Sequence, residues 1–244
     1  MTTPHTTFYH PLWPVFNADN QVLVVYKPAG LLAQGDRSAG ANLLDMARHW
    51  IKTRYHKPGN VFIGLVHRLD KPVAGVMVFA RTSKAAGRLS AQFREGRVVK
   101  RYLAVVEGIV APGITRLEND LERRPEGSRI LSGPGPASQA ARLSFERLDT
   151  GRSTSLVAVT LETGRRHQIR LQLAHAGHPI VGDRRYGAAE SLAGGQIALL
   201  ARELGFDHPT RHEPLTFFCP LPVGWPWPAV PAEPPIPWTI DAFT

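Results

Sequence analysis

Short apolar runs outnumber amphipathic stretches in this chain, and their order never settles into a strand-helix-strand repeat. Val22 to Tyr26, Val61 to Val66, Gly75 to Ala80, Tyr102 to Val106, Ala141 to Leu148, Ser155 to Leu161 and Leu215 to Cys219 have strand length and are bounded by turn residues. Helical spacing occurs in Leu43 to Tyr55, in Lys84 to about Glu95 and in about Arg166 to Ala176. Asn42 and Ser83 stand where N-caps are needed, and Gly96 and Gly177 where helices stop. Irregular alternation of this kind predicts an α+β fold with a largely antiparallel mixed sheet and flanking helices, not a doubly wound parallel one.

The remaining segments read as connections. Residues 1–20 contain three prolines and read as an irregular lead-in. Leu117 to Pro136 is charged, then rich in Gly and Pro, and reads as an exposed loop with a hairpin as the alternative. Ile197 to Leu200 is apolar and suits either a strand or a helix end. The tail from Pro220 to Pro237 is rich in Pro and Trp and reads as packed extended chain. The expected organisation is an extension over 1–20, a catalytic domain over 21–219 and a second extension over 220–244.

Composition narrows the function. Hydrophobic residues are 43% of 244, which excludes a mostly disordered chain. No span approaches the ~20 apolar residues of a membrane helix, and the N-terminus lacks a signal-peptide layout. A soluble cytoplasmic protein is expected, without membrane association. Cys219 is alone, so neither an intramolecular disulfide nor a cysteine-based zinc site can form. The formal charge is +9, and 23 of the 29 cations are Arg. Such an excess suits a polyanion, although a GC-rich genome would also produce it. Between Arg81 and Arg101 there are seven cations and one acid, a candidate surface for a phosphate backbone.

Dinucleotide, P-loop and zinc-protease motifs are absent. Three other segments carry polar chemistry. His67-Arg68-Leu69-Asp70 ends a strand candidate and puts a carboxylate beside a guanidinium. Lys100-Arg101-Tyr102 sets an aromatic ring, able to stack on a base, after two cations. Thr163 to Leu171 holds Arg165, Arg166, Arg170 and His167 within six residues, with Arg166 and Arg170 expected one helical turn apart. Such a cluster is costly to bury unpaired and reads as a functional surface.

Taken together, these segments resemble the RluA-type pseudouridine synthases. The resemblance rests on His67 to Asp70, on Ala80-Arg81-Thr82, and on Lys100, Tyr102, Ala104, Val106 and Gly108 at alternate positions. It continues through Thr163 to Arg170, Gly177 to Gly187 and the turn Lys27-Pro28-Ala29-Gly30, and so spans about residues 21 to 219. Two departures are Val73-Ala74-Gly75 in place of Thr-Ser-Gly, and Gln172 in place of a histidine.

The resemblance implies the pseudouridine synthase catalytic fold without the small RNA-binding domain that some relatives carry. It implies isomerisation of uridine in structured RNA, ribosomal or transfer, needing neither cofactor nor metal. A monomer is expected because no long heptad or large apolar helix face is left over. Asp70 would be the essential carboxylate, Arg170 its partner cation, and Tyr102 the residue that stacks on the flipped base. Arg68 would fill the space which that base leaves in the helix. His67, Lys100, Arg165, His167 and Gln168 would bind substrate. Two other readings remain on the residues alone. One is a non-catalytic RNA-binding protein on the same scaffold. The other is a carboxylate hydrolase, for which the motif segments offer Asp183 as the second acid.

Overall fold

The computed structural model describes residues 8–10, 13–35, 40–125, 127–222 and 224–227. Its elements in chain order begin with β1 (Phe8–His10), β2 (Trp13–Ala18), β3 (Val22–Lys27), α1 (Leu43–Arg54), β4 (Gly64–Leu65), β5 (Ala74–Ala80) and α2 (Ser83–Arg94). They continue with β6 (Val99–Glu107), β7 (Ile114–Arg124), β8 (Gly127–Leu131), β9 (Ser138–Thr150), β10 (Thr154–Leu161), α3 (Gln168–His175), β11 (Leu199–Asp207) and β12 (Pro214–Phe218). Every strand pair whose register is defined is antiparallel, so the α+β class expected from the irregular element order is the one observed. The chain divides into two compact units, one of residues 1–99, 201–223 and 234–244, the other of 100–200 and 224–233.

In the first unit the strands run in the order β1-β2-β3-β5-β11-β12, with β4 paired to β5. All residues of β3 and β5 are buried, which is why both read as continuous apolar runs rather than alternating ones. Helix α1 buries Leu43, Leu44, Ala47, Trp50 and Ile51 on one face. Asn42 caps it as expected, accepting the Asp45 N–H at 3.1 Å. The cap of α2 is Thr82 rather than Ser83: Thr82 is extended and its hydroxyl accepts the Ala85 N–H at 3.1 Å, which leaves Ser83 as the first helical residue. Gly75 is the one position of β5 where no side chain fits. Its φ is +138°, and a Cβ there would lie 2.5 Å from Ala201.

Residues 1–20 are not an irregular lead-in throughout. Within them β2 pairs with β3, placing Val15 opposite Val25, while 1–7 and 11–12 lie outside the described residues. Pro14 and Asn17 masked this strand by interrupting its apolar pattern. Ile197 to Leu200 resolves into the start of β11.

The second unit orders its strands β6-β10-β9-β7-β8. Leu103 to Val106, Leu143, Phe145, Leu156, Val157 and Val159 form its sheet core, with Ile169, Leu173 and Ile180 also buried. The charged stretch from Leu117 belongs to the β7–β8 hairpin. Of the two readings of this stretch the hairpin holds; the loop reading arises because both faces of β7 are mostly polar and Leu121 is its one buried residue. Cross-strand charge pairing takes the place of apolar alternation: Glu122 lies opposite Arg129, 2.7 Å from it, and also meets Arg124 at 2.9 Å.

Helix α3 starts at Gln168, two residues later than the sequence spacing predicts. His167 is in the left-handed region, with φ 57° and ψ 22°, so it cannot continue a right-handed helix. Arg166 and Arg170 are therefore not successive residues of one helical face. Of the Pro-rich tail the structure describes 220–222 and 224–227. There Trp227 is buried and its indole N–H donates to Asp149 at 3.2 Å.

Candidate active site

In the first unit, Asp70 follows the two-residue strand β4 and precedes β5. The turn is closed by the Val73 N–H donating to the Asp70 carbonyl at 3.1 Å. Val73 and Ala74 are 3% and 5% exposed, so the residues that replace Thr-Ser serve as core rather than as lost hydrogen bonds. Asp70 is half-buried, while Arg68 is exposed.

The His67 ring completes the short ladder of β4. Its Nε2 accepts the Val78 N–H at 3.0 Å, where backbone pairing of β4 with β5 has stopped. The ring also stacks on Phe93 of α2, with centroids 4.6 Å apart. These contacts pin the segment from which Asp70 projects, a structural task beside the substrate contact the resemblance implies.

Sequence reasoning missed the strongest feature here. Lys27 is completely buried. Its ammonium donates to the carbonyls of Pro28 and Leu31 at 2.8 Å each, and of Lys71 at 3.2 Å. The last acceptor is the residue after Asp70, so one cation ties the end of β3 to the Asp70 turn. Burial pulls the Lys27 pKa down to about 7, and the nearby Asp70 carboxylate opposes that fall. The available signal was a lysine ending a strand whose every other residue is apolar. A strand buried on both faces leaves no solvent side for its last residue.

Most cations of the Arg81 to Arg97 stretch are engaged with protein. Arg81 donates to the Asp19 carbonyl and lies over the Tyr55 ring at 4.4 Å. Arg88 donates to the Pro209 carbonyl at 2.6 Å, and Arg97 meets Glu95 at 2.7 Å. Lys84 and Arg94 remain on the exposed face of α2.

In the second unit, Lys100 and Tyr102 are both half-buried and share one face of β6, with Tyr102 opposite Val159. Burial lowers the Lys100 pKa, and the Arg165 guanidinium lowers it further. Arg165 is exposed and donates to the Ala140 carbonyl at 3.1 Å. Two like charges held together in this way favour an anionic ligand.

Gln168 is 3% exposed. Its Oε1 accepts from the Thr163 hydroxyl at 2.8 Å and the Arg165 N–H at 2.9 Å, while its amide donates to the Arg142 carbonyl. The left-handed backbone of His167 directs its Nδ1 to the Tyr186 hydroxyl, 2.7 Å away. Arg166 donates to the Arg124 carbonyl at 2.9 Å.

Arg170 makes a forked pair with Asp183. Its Nε is 2.6 Å from Oδ2 and its Nη2 is 2.8 Å from Oδ1, with side chains 7% and 2% exposed. Its guanidinium carbon also lies 5.0 Å from the centroid of the Tyr186 ring. The expected surface cluster is thus partly a buried network, in which Asp183 supplies the charge that makes burial of Arg170 tolerable. Gln172, which departs from the family histidine, is buried and donates to Asn119 Oδ1 at 2.7 Å and the Ala141 carbonyl at 3.2 Å.

Among the described residues no group of three or more His, Cys, Asp or Glu is placed to hold a metal ion. No helix among them is long and apolar enough to cross a membrane.

The family model described as RNA pseudouridylate synthase matches residues 21–175, a span that contains Asp70, Tyr102 and Arg170. The chain is 35% identical to ribosomal large subunit pseudouridine synthase D of Xylella fastidiosa over 218 residues, 84% of this chain and 64% of that protein. It is 31% identical to tRNA pseudouridine synthase C of Haemophilus ducreyi, covering 85% of this chain and 90% of that one. The chain spans about 64 to 66% of the length of the first curated relatives it matches. The solved structure of human RNA pseudouridylate synthase domain containing 4 superposes with a TM-score of 0.72 at 25% identity, covering 86% of this chain and 88% of that one.

Proposed function

The chain belongs to the RNA pseudouridylate synthase family, and from that premise we propose that it isomerises uridine in RNA to pseudouridine with Asp70 as the catalytic carboxylate. The observation that carries this reading is the family match over residues 21–175, which includes the Asp70 turn. The bond from N1 to C1′ breaks, the uracil turns, and C5 bonds to C1′. C5 loses a proton and N1 gains one, so the reaction is an isomerisation. Asp70 acts by attack on the nucleoside or by removing a sugar proton. Tyr102 provides the flat face for the displaced uracil and sits near proton transfer at C5.

The relatives' names point to ribosomal or transfer RNA as substrate, met in the cytoplasm by a single chain. Lys100 and Arg165, a like-charge pair on the unit that carries Tyr102, suit contact with phosphate. Extruding a base costs a few kcal/mol, which contacts elsewhere along the RNA offset. Arg170 holds its own unit in shape through Asp183. That forked pair also weighs against the hydrolase reading, since it occupies the acid such a mechanism would recruit.

The test uses total RNA from a strain lacking this protein. Pseudouridine is mapped by carbodiimide chemistry after incubation with the wild-type chain or with Asp70→Asn. New sites are expected with the wild type and none with the variant. Equal modification by both removes Asp70 from the mechanism. Free uracil indicates hydrolysis, and RNA retention without modification indicates a binding protein.

A further inference from the structure

Helix α1 carries a second polar surface that neither the motifs nor the proposed chemistry uses. Its apolar face is spent on the core, which leaves Arg48, His49 and Lys52 exposed on the opposite side. Across from them runs the segment 59–63, and between the two lies a cleft of about 600 Å³. This lies within the ~300–1,000 Å³ typical of ligand clefts. Asn60 and the half-exposed ring of Phe62 line its other wall, and buried Ile63 forms part of its floor.

Three observations agree on the chemistry of an occupant. Residues 41–60 contain four cations, Arg48, Lys52, Arg54 and Lys57, against one acid, Asp45. Asp45 meets Arg48 at 2.7 Å, but in an exposed pair that solvent screens and a phosphate can displace. Phe62 is a large ring left 50% exposed. A Cβ at Gly64 would lie 3.3 Å from its ring edge, so the absence of a side chain at 64 makes room for the ring to lie there. Cations on one wall and an exposed aromatic face on the other form the arrangement that binds unpaired nucleotides: phosphate on the cations, base on the ring.

We propose that the cleft between α1 and residues 59–63 is an accessory RNA subsite that holds an unpaired nucleotide away from the reacting uridine. It rests on the reading of the chain as an RNA-modifying enzyme, and adds a second point of attachment to it. The Arg81 to Arg97 stretch is largely occupied by protein contacts, whereas Lys52 is exposed on α1 and Arg48 meets an exposed acid, Asp45. Asn60 adds an amide able to hydrogen-bond a base edge. The subsite contributes to affinity and register, and turnover of bound RNA does not depend on it.

The experiment compares the wild-type chain with Arg48→Ala/Lys52→Ala and with Phe62→Ala, using the same total RNA and measuring filter binding and rate together. Each variant is expected to raise the half-saturating RNA concentration about tenfold, with the maximal rate within twofold of wild type. Loss of one phosphate contact should flatten the plot of log affinity against log salt by about 0.7, the slope per phosphate of a single strand. Phe62→Ala should leave that slope unchanged. RNA substituted with 4-thiouridine should cross-link to the peptide segment 59–63 of the wild type. Unchanged affinity and slope in both variants, or no cross-link to that peptide, overturns the subsite. Failure of the enzymatic reading is seen separately, as wild-type chain that binds RNA and makes no pseudouridine.

Discussion

Lys27 and Arg170 are both cations buried in the described residues, one in each unit, yet they are kept there by opposite means. Arg170 has a carboxylate of its own, Asp183, in a two-pronged contact that cancels its charge. Lys27 has three backbone carbonyls, which satisfy its donors and leave the charge uncancelled. The Asp70 carboxylate is close enough to be felt and is not among those three acceptors. A guanidinium cannot shed its proton, so its burial demands a counter-ion. An amine can shed one, so its burial is tolerated at the cost of a depressed pKa. The first arrangement rests on charge pairing, whereas the second responds to the protonation of a single amine.

Removing the counter-ion should break the first arrangement outright. Asp183→Ala removes the forked partner of a buried guanidinium and should cost about 3–5 kcal/mol of stability, read from the shift in urea midpoint. Lys27→Met should cost less, about 1–3 kcal/mol. It orphans carbonyls of Pro28, Leu31 and Lys71, but relieves the burial of a charge. A loss as large as that of Asp183→Ala would mean that the ammonium charge itself holds the Asp70 turn.

Acid–base behaviour separates the two more finely. The folded chain releases the Lys27 proton near pH 7, and the unfolded chain releases it near the ordinary lysine value of 10.5. Within that window the unfolded state binds more protons, so this group makes stability rise with pH. Below pH 7 both states hold the proton and its contribution to the slope vanishes. Urea titrations at several pH values should show the rise in wild type and its loss in Lys27→Met, with Arg170 adding no slope of its own. The smallest effect is expected for Arg170→Met combined with Asp183→Leu, within about 1 kcal/mol of wild type, because an apolar pair of similar bulk replaces the ions together.

The sequence made most elements legible where burial was simple. Strand β5 is apolar throughout and β3 is apolar up to its last residue, Lys27; α1 has one clean face with Asn42 at its start, and the irregular order of elements excluded a parallel sheet. Elements held by charge were harder to see. The β7–β8 hairpin replaces apolar alternation with the Glu122, Arg124 and Arg129 cluster, and a polar strand of that kind has the composition of a loop. The α3 start was misplaced because the left-handed turn at His167 depends on Tyr186, nineteen residues away. Asp70 and Tyr102 stand out as candidates by local pattern, whereas the Arg170–Asp183 fork joins residues thirteen apart and no spacing rule announces it. Lys27 was visible only as the first letter of a turn, since its importance comes from Lys71, forty-four residues on.

The seal around Lys27 also turns that residue into a clock. Lys52, Lys57, Lys71 and Lys84 are open to solvent and Lys100 is half-buried, whereas Lys27 has no accessible surface. A small acylating reagent therefore marks the outer lysines at once and reaches Lys27 only when the end of β3 lifts away from the Asp70 turn. Burial is what lowers its pKa, so an opened Lys27 reverts to ordinary lysine behaviour and is marked at the rate of the outer lysines. The lag between outer and inner labelling times how often the turn carrying Asp70 comes undone in an otherwise folded chain.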